Sequence, residues 1–183
     1  MMRPLLRVFD AVVRGMNAIG SIWILLITVL INTDVIARFA FNSPVRGVPL
    51  VITMSLIAIV FLQLPDALLA GRVTRNEALL GRFLRHRPKL GHSLQAIYHA
   101  AGIALMALMV WYSTPRFEKG WASGAYLGNR GDFILPEWPF QLLVIVGSVA
   151  VGLQFLRLAW LDIRVLRGES VEGLGVAEAR GPE

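Results

Sequence analysis

Cysteine is absent from the 183-residue chain, which excludes disulfides, zinc–thiolate sites, iron–sulfur clusters and cysteine nucleophiles. Charge is scarce: 16% of residues are charged, 12 of them acidic and 18 basic, against about 25% in soluble domains. Histidine occurs three times, at His86, His92 and His99. No H-E-x-x-H, G-x-x-x-x-G-K-[ST] or G-x-S-x-G motif is present, so the common zinc-hydrolase, phosphate-loop and serine-hydrolase patterns are missing. Apolar residues fill the space: the chain is 56% hydrophobic, with a mean hydropathy of +0.62. That balance excludes soluble, disordered, collagenous and coiled-coil classes and describes a membrane protein. The net charge of +6 then becomes a question of which side of the bilayer holds the basic residues.

A helical span needs about 20 mostly apolar residues. Four stretches qualify, at 18–39, 48–69, 94–112 and 138–161. None copies another, so no internal repeat is read. The charge-free core of the first, 22–31, is followed by no small-residue cleavage site, and it is read as a retained span. The reading is an all-α integral membrane protein with four transmembrane helices in one domain, 1–167, and a mobile Gly- and Glu-rich tail at 168–183.

Basic residues set the orientation. Thirteen of the 18 lie before span one, between spans two and three, or at and beyond the end of span four; five lie in the other two links. The N and C termini and the middle link are therefore expected in the cytoplasm. Two amphipathic interfacial helices are also expected. At the N terminus Leu5, Leu6, Phe9, Val12, Val13 and Met16 recur at helical spacing, with Arg3, Arg7, Asp10 and Arg14 opposite. The other reading of this segment is a simple extension of span one into water. Between spans two and three, Thr74 and Glu77 have capping-box spacing ahead of the stripe Leu79, Leu80, Phe83 and Leu84, and Pro88 favours a stop.

Intramembrane chemistry is sparse. Asp34 and Arg38, four residues apart, share a helix face near the outer end of span one. They read as an internal ion pair anchoring the helix end, or as a contact to another subunit or an ion path. Gln63, Asp66 and Gln154 read as helix-packing or helix-end groups. His99, the one histidine placed within a span, reads as a packing or interfacial residue, since no second membrane histidine faces it as a haem ligand. Small residues line span three at Ala96, Ala100, Ala104 and Ala107, and Ser148 and Gly152 have close-packing spacing in span four. Trp111, Tyr112 and Trp138 suit an interfacial aromatic belt. The chain is rich in surfaces and poor in reactive groups, so no catalytic, substrate-binding, metal or cofactor site is assigned.

The run Thr33-Asp34-Val35-Ile36-Ala37-Arg38-Phe39-Ala40-Phe41-Asn42-Ser43-Pro44 resembles the first-span signature of the small, DctQ-like permease subunit of tripartite ATP-independent periplasmic (TRAP) transporters. Asp34, Arg38, Phe41, Asn42, Pro44 and Gly47 match in order. Supportive likenesses are Phe61-Leu62-Gln63, the stretch Gly71 to Glu77, and Leu135-Pro136-Glu137-Trp138-Pro139 at the start of span four. Pro49 or its neighbours stand where the family often has Glu, Val73 where His is common, and Asn76 where the residue is usually apolar. No role of that Glu or His carries over.

The resemblance implies a multi-pass subunit of the bacterial inner membrane, not an enzyme. It would scaffold a large permease subunit of about twelve spans. That assembly would take up an organic acid or related solute, usually with sodium, delivered by a periplasmic substrate-binding protein. The solute site would lie in the other chains, and membrane lipids would be the remaining partners. Asp34, Arg38 and Asn42 would fix the outer end of span one, Thr74, Arg75 and Glu77 would shape the cytoplasmic arm, and Trp138 would anchor span four. The external loop from Tyr126 to Phe133 is a candidate contact for the binding protein. The competing expectation is a self-assembling tetraspan, structural or channel-like.

Overall fold

The computed structural model describes residues 2–70, 88–129 and 133–166. Four long helices carry the fold: α1 (Met2–Phe41), α2 (Val48–Leu69), α3 (Pro88–Ser123) and α4 (Trp138–Leu166). A two-stranded antiparallel hairpin, β1 (Tyr126–Asn129) and β2 (Phe133–Pro136), sits between α3 and α4. Each of the four helices contains a segment long and apolar enough to cross a membrane. The expected helix around Thr74, Arg75 and Glu77, and the tail at 168–183, lie outside the described residues.

The helices pack in a row rather than a closed ring. α1 lies on α2, α2 on α4, and α4 on α3. The core is correspondingly thin. Met16, Leu62 and Ala150 form one buried cluster, with Trp23 and Leu143 against it. Leu68, Val151 and Phe155 form a second, with Ile103 and Met106 against it. Contributions from α2 and α4 run through both clusters. The outward faces of α1 and α3 stay apolar and exposed, as at Ile22, Val29, Ile36, Leu105 and Leu108. Bilayer lipid is as apolar as these side chains, so such faces carry no penalty there.

The N-terminal segment is amphipathic and helical, but it is not a separate interfacial element. It continues without a break into the first span. The reason lies in the buried face. Val13, Gly20, Ile27 and Asp34 are buried at intervals of seven residues, with Met16 beside them. One unbroken stripe therefore serves both segments, and a bend would take half of it off α2 and α4. The seven-residue interval is that of helices crossing at a shallow left-handed angle. A helix of 40 residues is about 60 Å long. Even tilted by about 40° it reaches roughly 46 Å along the membrane normal, more than the hydrocarbon core of about 30 Å. Part of α1 therefore stands beyond the hydrocarbon.

α3 extends further than the apolar run that announced it, continuing to Ser123 through Pro115. Its last turns are held laterally. Gly120 is buried against Trp138, and the Trp121 and Trp138 rings meet edge to face at 4.8 Å. Between the third and fourth apolar runs the chain is thus a helical extension followed by the hairpin. Phe133 of β2 lies directly over Gly47, where a Cβ would overlap its ring. Gly47 also has φ +80, a left-handed conformation that glycine adopts without strain. The hairpin is in this way seated on the turn between α1 and α2.

Candidate functional site

Polar groups gather at two ends of the bundle. The first is the corner between α1 and α2. Asp34 projects from the buried stripe of α1 and is 6% exposed. Its Oδ2 accepts a 2.7 Å hydrogen bond from Nη2 of Arg38, and its Oδ1 accepts the backbone N–H of Val45 at 2.8 Å. One carboxylate thus closes an eleven-residue loop. Between these points the helix ends by a defined device. Asn42 adopts φ 50, and the Ser43 N–H donates to the Ala37 carbonyl at 3.3 Å. A left-handed residue whose following amide folds back onto a carbonyl six residues earlier is a left-handed helix stop, related to the Schellman motif but one residue wider, and asparagine is the residue that tolerates that conformation best after glycine. Pro44 follows, where no further helical hydrogen bond is required. The spacing Asp34, Arg38, Asn42, Pro44, Gly47 therefore reads as one turn-building unit: a clamp, a left-handed stop, a fixed dihedral and a seat for Phe133.

The two bonds of Asp34 are unequal. The Arg38 side chain is 60% exposed, so solvent screening leaves its ion pair worth under about 1 kcal/mol. The buried bond to the amide involves a charged acceptor and is worth about 1.5–3 kcal/mol. Asp34→Asn, which keeps an oxygen for the Val45 N–H, should therefore lose little stability. Asp34→Ala should lose about 2 kcal/mol or more. A charge swap of Asp34 and Arg38 should not rescue, because an arginine at 34 has no acceptor for Val45. Denaturant titration of the three variants in detergent checks the order. Full rescue by the swap would show the ion pair to be the main bond.

The second polar region lies where α1 begins and α2 and α4 end. Nη1 of Arg157 in α4 donates to Oδ1 of Asp10 in α1 at 2.7 Å. Nδ2 of Asn17 in α1 donates to Oδ2 of Asp66 in α2 at 2.8 Å. Nδ1 of His99 in α3 lies 2.7 Å from Oδ2 of Asp162 in α4, which places the proton on Nδ1 when the carboxylate is ionised. His99 is buried and packs against the rings of Tyr98 and Phe155, which also meet each other. Each of the three aspartates here joins two different helices. Together with Asp34, every described aspartate is engaged with a donor, and no group of acids and histidines able to hold a metal ion occurs among the described residues. The arrangement is a set of cross-braces rather than a reactive centre.

Of the residues singled out from sequence, the structure brings Asp34, Arg38 and Asn42 together at one corner. Trp138 stands apart, at the first turn of α4 against Trp121. Thr74, Arg75 and Glu77 lie outside the described residues. Asp66 is a packing group as read, its partner being Asn17. The histidine at 99 is more than a packing residue, because it holds α3 to Asp162. Sequence reasoning passed over Asn17 and Asp162 and did not pair Asp10 with Arg157. A matching by depth would have found the brace: His99 and Asp162 are lone polar groups near the same ends of consecutive spans. Of the alanine stripe of α3, Ala96 is half-buried while Ala100, Ala104 and Ala107 are exposed, so most of the stripe is not packed within this chain.

A family model described as "Tripartite ATP-independent periplasmic transporters, DctQ component" matches residues 27–165. Searches of curated proteins and of solved structures found no significant match. The matched region takes in the Asp34 corner, the hairpin, and α2, α3 and nearly all of α4.

Proposed function

The chain belongs to the DctQ family, the small membrane component of TRAP transporters, and from that premise we propose that it is the static scaffold on which the large permease subunit moves. It is a multi-pass membrane protein and a transporter component. In this reading it lies in the inner membrane, with both termini and the link between α2 and α3 on the cytoplasmic side. The hairpin and the Asp34 corner then face the periplasm. The large subunit carries an organic acid or related solute, coupled to sodium, and a periplasmic protein delivers the solute.

The observation that carries the scaffold role is the cross-bracing. The helices are tied by Asp10–Arg157, Asn17–Asp66 and His99–Asp162, and the described aspartates are occupied by internal donors. A row of helices braced at one end and closed by a hairpin at the other resists shear between its members. Its long flanks remain free to meet a partner.

The hairpin is the element we assign to docking of the binding protein, because it is seated on the α1–α2 corner and leaves Ile134 exposed. Replacing 126–136 with a short Gly-Ser connector should lower solute uptake at least tenfold in proteoliposomes holding both membrane subunits and binding protein. Co-sedimentation of the binding protein should fall with it. Uptake and co-sedimentation equal to those of the intact chain would remove the hairpin from the docking role.

A further inference from the structure

A groove of about 600 Å³ opens between α3 and α4, walled on α3 from Ile103 to Glu118 and on α4 by Ser148, Gly152 and Leu156. We propose that it holds one acyl chain of an aminophospholipid, with the lipid's ammonium group at Glu118. The inference holds whether or not the chain acts as a scaffold.

Dimensions select the occupant. Fifteen residues of α3 separate Ile103 from Glu118, so the groove is about 22 Å long by helical rise. Its volume of about 600 Å³ then gives a mean cross-section of roughly 27 Å². A helix about 10 Å wide has a cross-section of roughly 80 Å² and would rest on the open rim of the groove, not sink into it. A single file of methylenes, whose neighbours approach to about 4 Å, fits. Gly152 and Ala107 create the space, since neither carries a side chain large enough to fill it.

Polarity along the groove selects the headgroup. At the hairpin end stand two acceptors. Glu118 has no ion pair among the described residues. Pro115 has no N–H to offer the Trp111 carbonyl one turn below, which leaves that oxygen without its helical donor. Deeper lies a donor: the Ser148 hydroxyl is fully buried and has no hydrogen-bond partner. Met106 of α3 lies beside Gly152, and Gly120 beside Trp138, which sets Ser148 level with Val110, about 12 Å below Glu118 by helical rise. Beyond it the walls are apolar down to Ile103 and Leu156. The order acceptor, donor, apolar wall is the complement of ammonium, ester carbonyl and acyl chain. An anionic glycerol headgroup would meet the Glu118 carboxylate with like charge. Exposed Trp111 and Tyr112 are suited to headgroup depth at that level.

The test uses the full chain, with any subunits that accompany it, in nanodiscs of equal phosphatidylethanolamine and phosphatidylglycerol. After detergent extraction and washing, the retained lipid is counted by native mass spectrometry. One phosphatidylethanolamine per chain is expected, favoured over phosphatidylglycerol by about tenfold. Glu118→Gln should keep a lipid but lose the preference. Gly152→Leu should lose the lipid: its Cβ meets only Met106 at an ordinary 3.5 Å, and the rest of the side chain enters the groove. Leu105→Trp, on an exposed position outside the groove, should change nothing. A photo-crosslinking residue at position 107, in native membranes, should give a lipid adduct. Unchanged retention in Gly152→Leu, or a crosslink at 107 to a polypeptide instead of lipid, overturns the proposal. Equal binding of the two lipids by the unaltered chain, or an unchanged preference in Glu118→Gln, overturns the headgroup assignment.

Discussion

Gly147→Leu should divide the bundle. Gly147 in α4 faces the backbone of α2, and a Cβ there would overlap the carbonyl oxygen of Phe61 and lie 2.6 Å from its Cβ. A backbone atom cannot rotate away as a side chain can. The only relief is to move the two helices apart. Overpacking in a core costs typically 1–3 kcal/mol, and here the obstruction is backbone, so a loss of about 3 kcal/mol or more is expected. That is a large part of the 5–15 kcal/mol that typically stabilises a folded chain. The position matters because the contact of α2 with α4 joins the α1–α2 pair to the α3–α4 pair. Gly152→Ala is the matched control. Its Cβ would meet Met106 Cβ at 3.5 Å, ordinary contact, and the gain in helix propensity is up to about 1 kcal/mol. Unfolding in mixed micelles should show a sharp fall for Gly147→Leu and none for Gly152→Ala. Equal midpoints in both would mean that α2 and α4 do not approach as described.

Removing Asp162 should cost more than removing both members of its pair. His99 is 2% exposed, so Asp162→Ala leaves its Nδ1–H without its acceptor in a site that water does not reach. Breaking a buried ionic pair costs about 3–5 kcal/mol in soluble proteins, whereas pairwise hydrogen-bond couplings between membrane helices average about 0.6 and peak near 1.7 kcal/mol. The near-complete burial of His99 places the cost of an unpaired Nδ1–H above that average coupling. A loss of about 1.5–3 kcal/mol is expected for Asp162→Ala. His99→Leu with Asp162→Leu should recover most of it, since neither member of the pair is then left buried without the other. Both residues also engage further groups, so recovery should be incomplete. A double-mutant cycle on detergent unfolding gives the coupling. Additive losses, with no coupling, would mean that the pair does not brace α3 against α4.

What could be read without coordinates divides along physical lines. Four spans are legible because hydropathy reports a local property, and the corner is legible because Asp34, Arg38, Asn42, Pro44 and Gly47 act within one short stretch. The continuity of α1 was the less favoured of two readings, because Gly15, Asn17 and Gly20 look like a joint. They are tolerated because Gly20 lies close against Leu62 and Gln63 of α2 and Asn17 bonds Asp66. The extension of α3 past residue 112 was hidden in the same way. Pro115 and Gly120 read as link residues, yet Trp138, far along the chain, supports that last stretch from the side. Long-range pairs such as Asp10–Arg157, 147 residues apart, leave no mark in local pattern.

The central claim is that this chain is a scaffold for a larger permease subunit. The most direct measurement is affinity purification of the tagged chain from its native membranes in mild detergent, followed by mass spectrometry of what accompanies it. The account predicts a stoichiometric polytopic partner of about twelve spans, and predicts that Gly147→Leu loses it while Gly152→Ala retains it. Recovery of the chain alone, or as a homogeneous oligomer of itself, would contradict the scaffold role and leave a self-assembling four-helix membrane protein in its place.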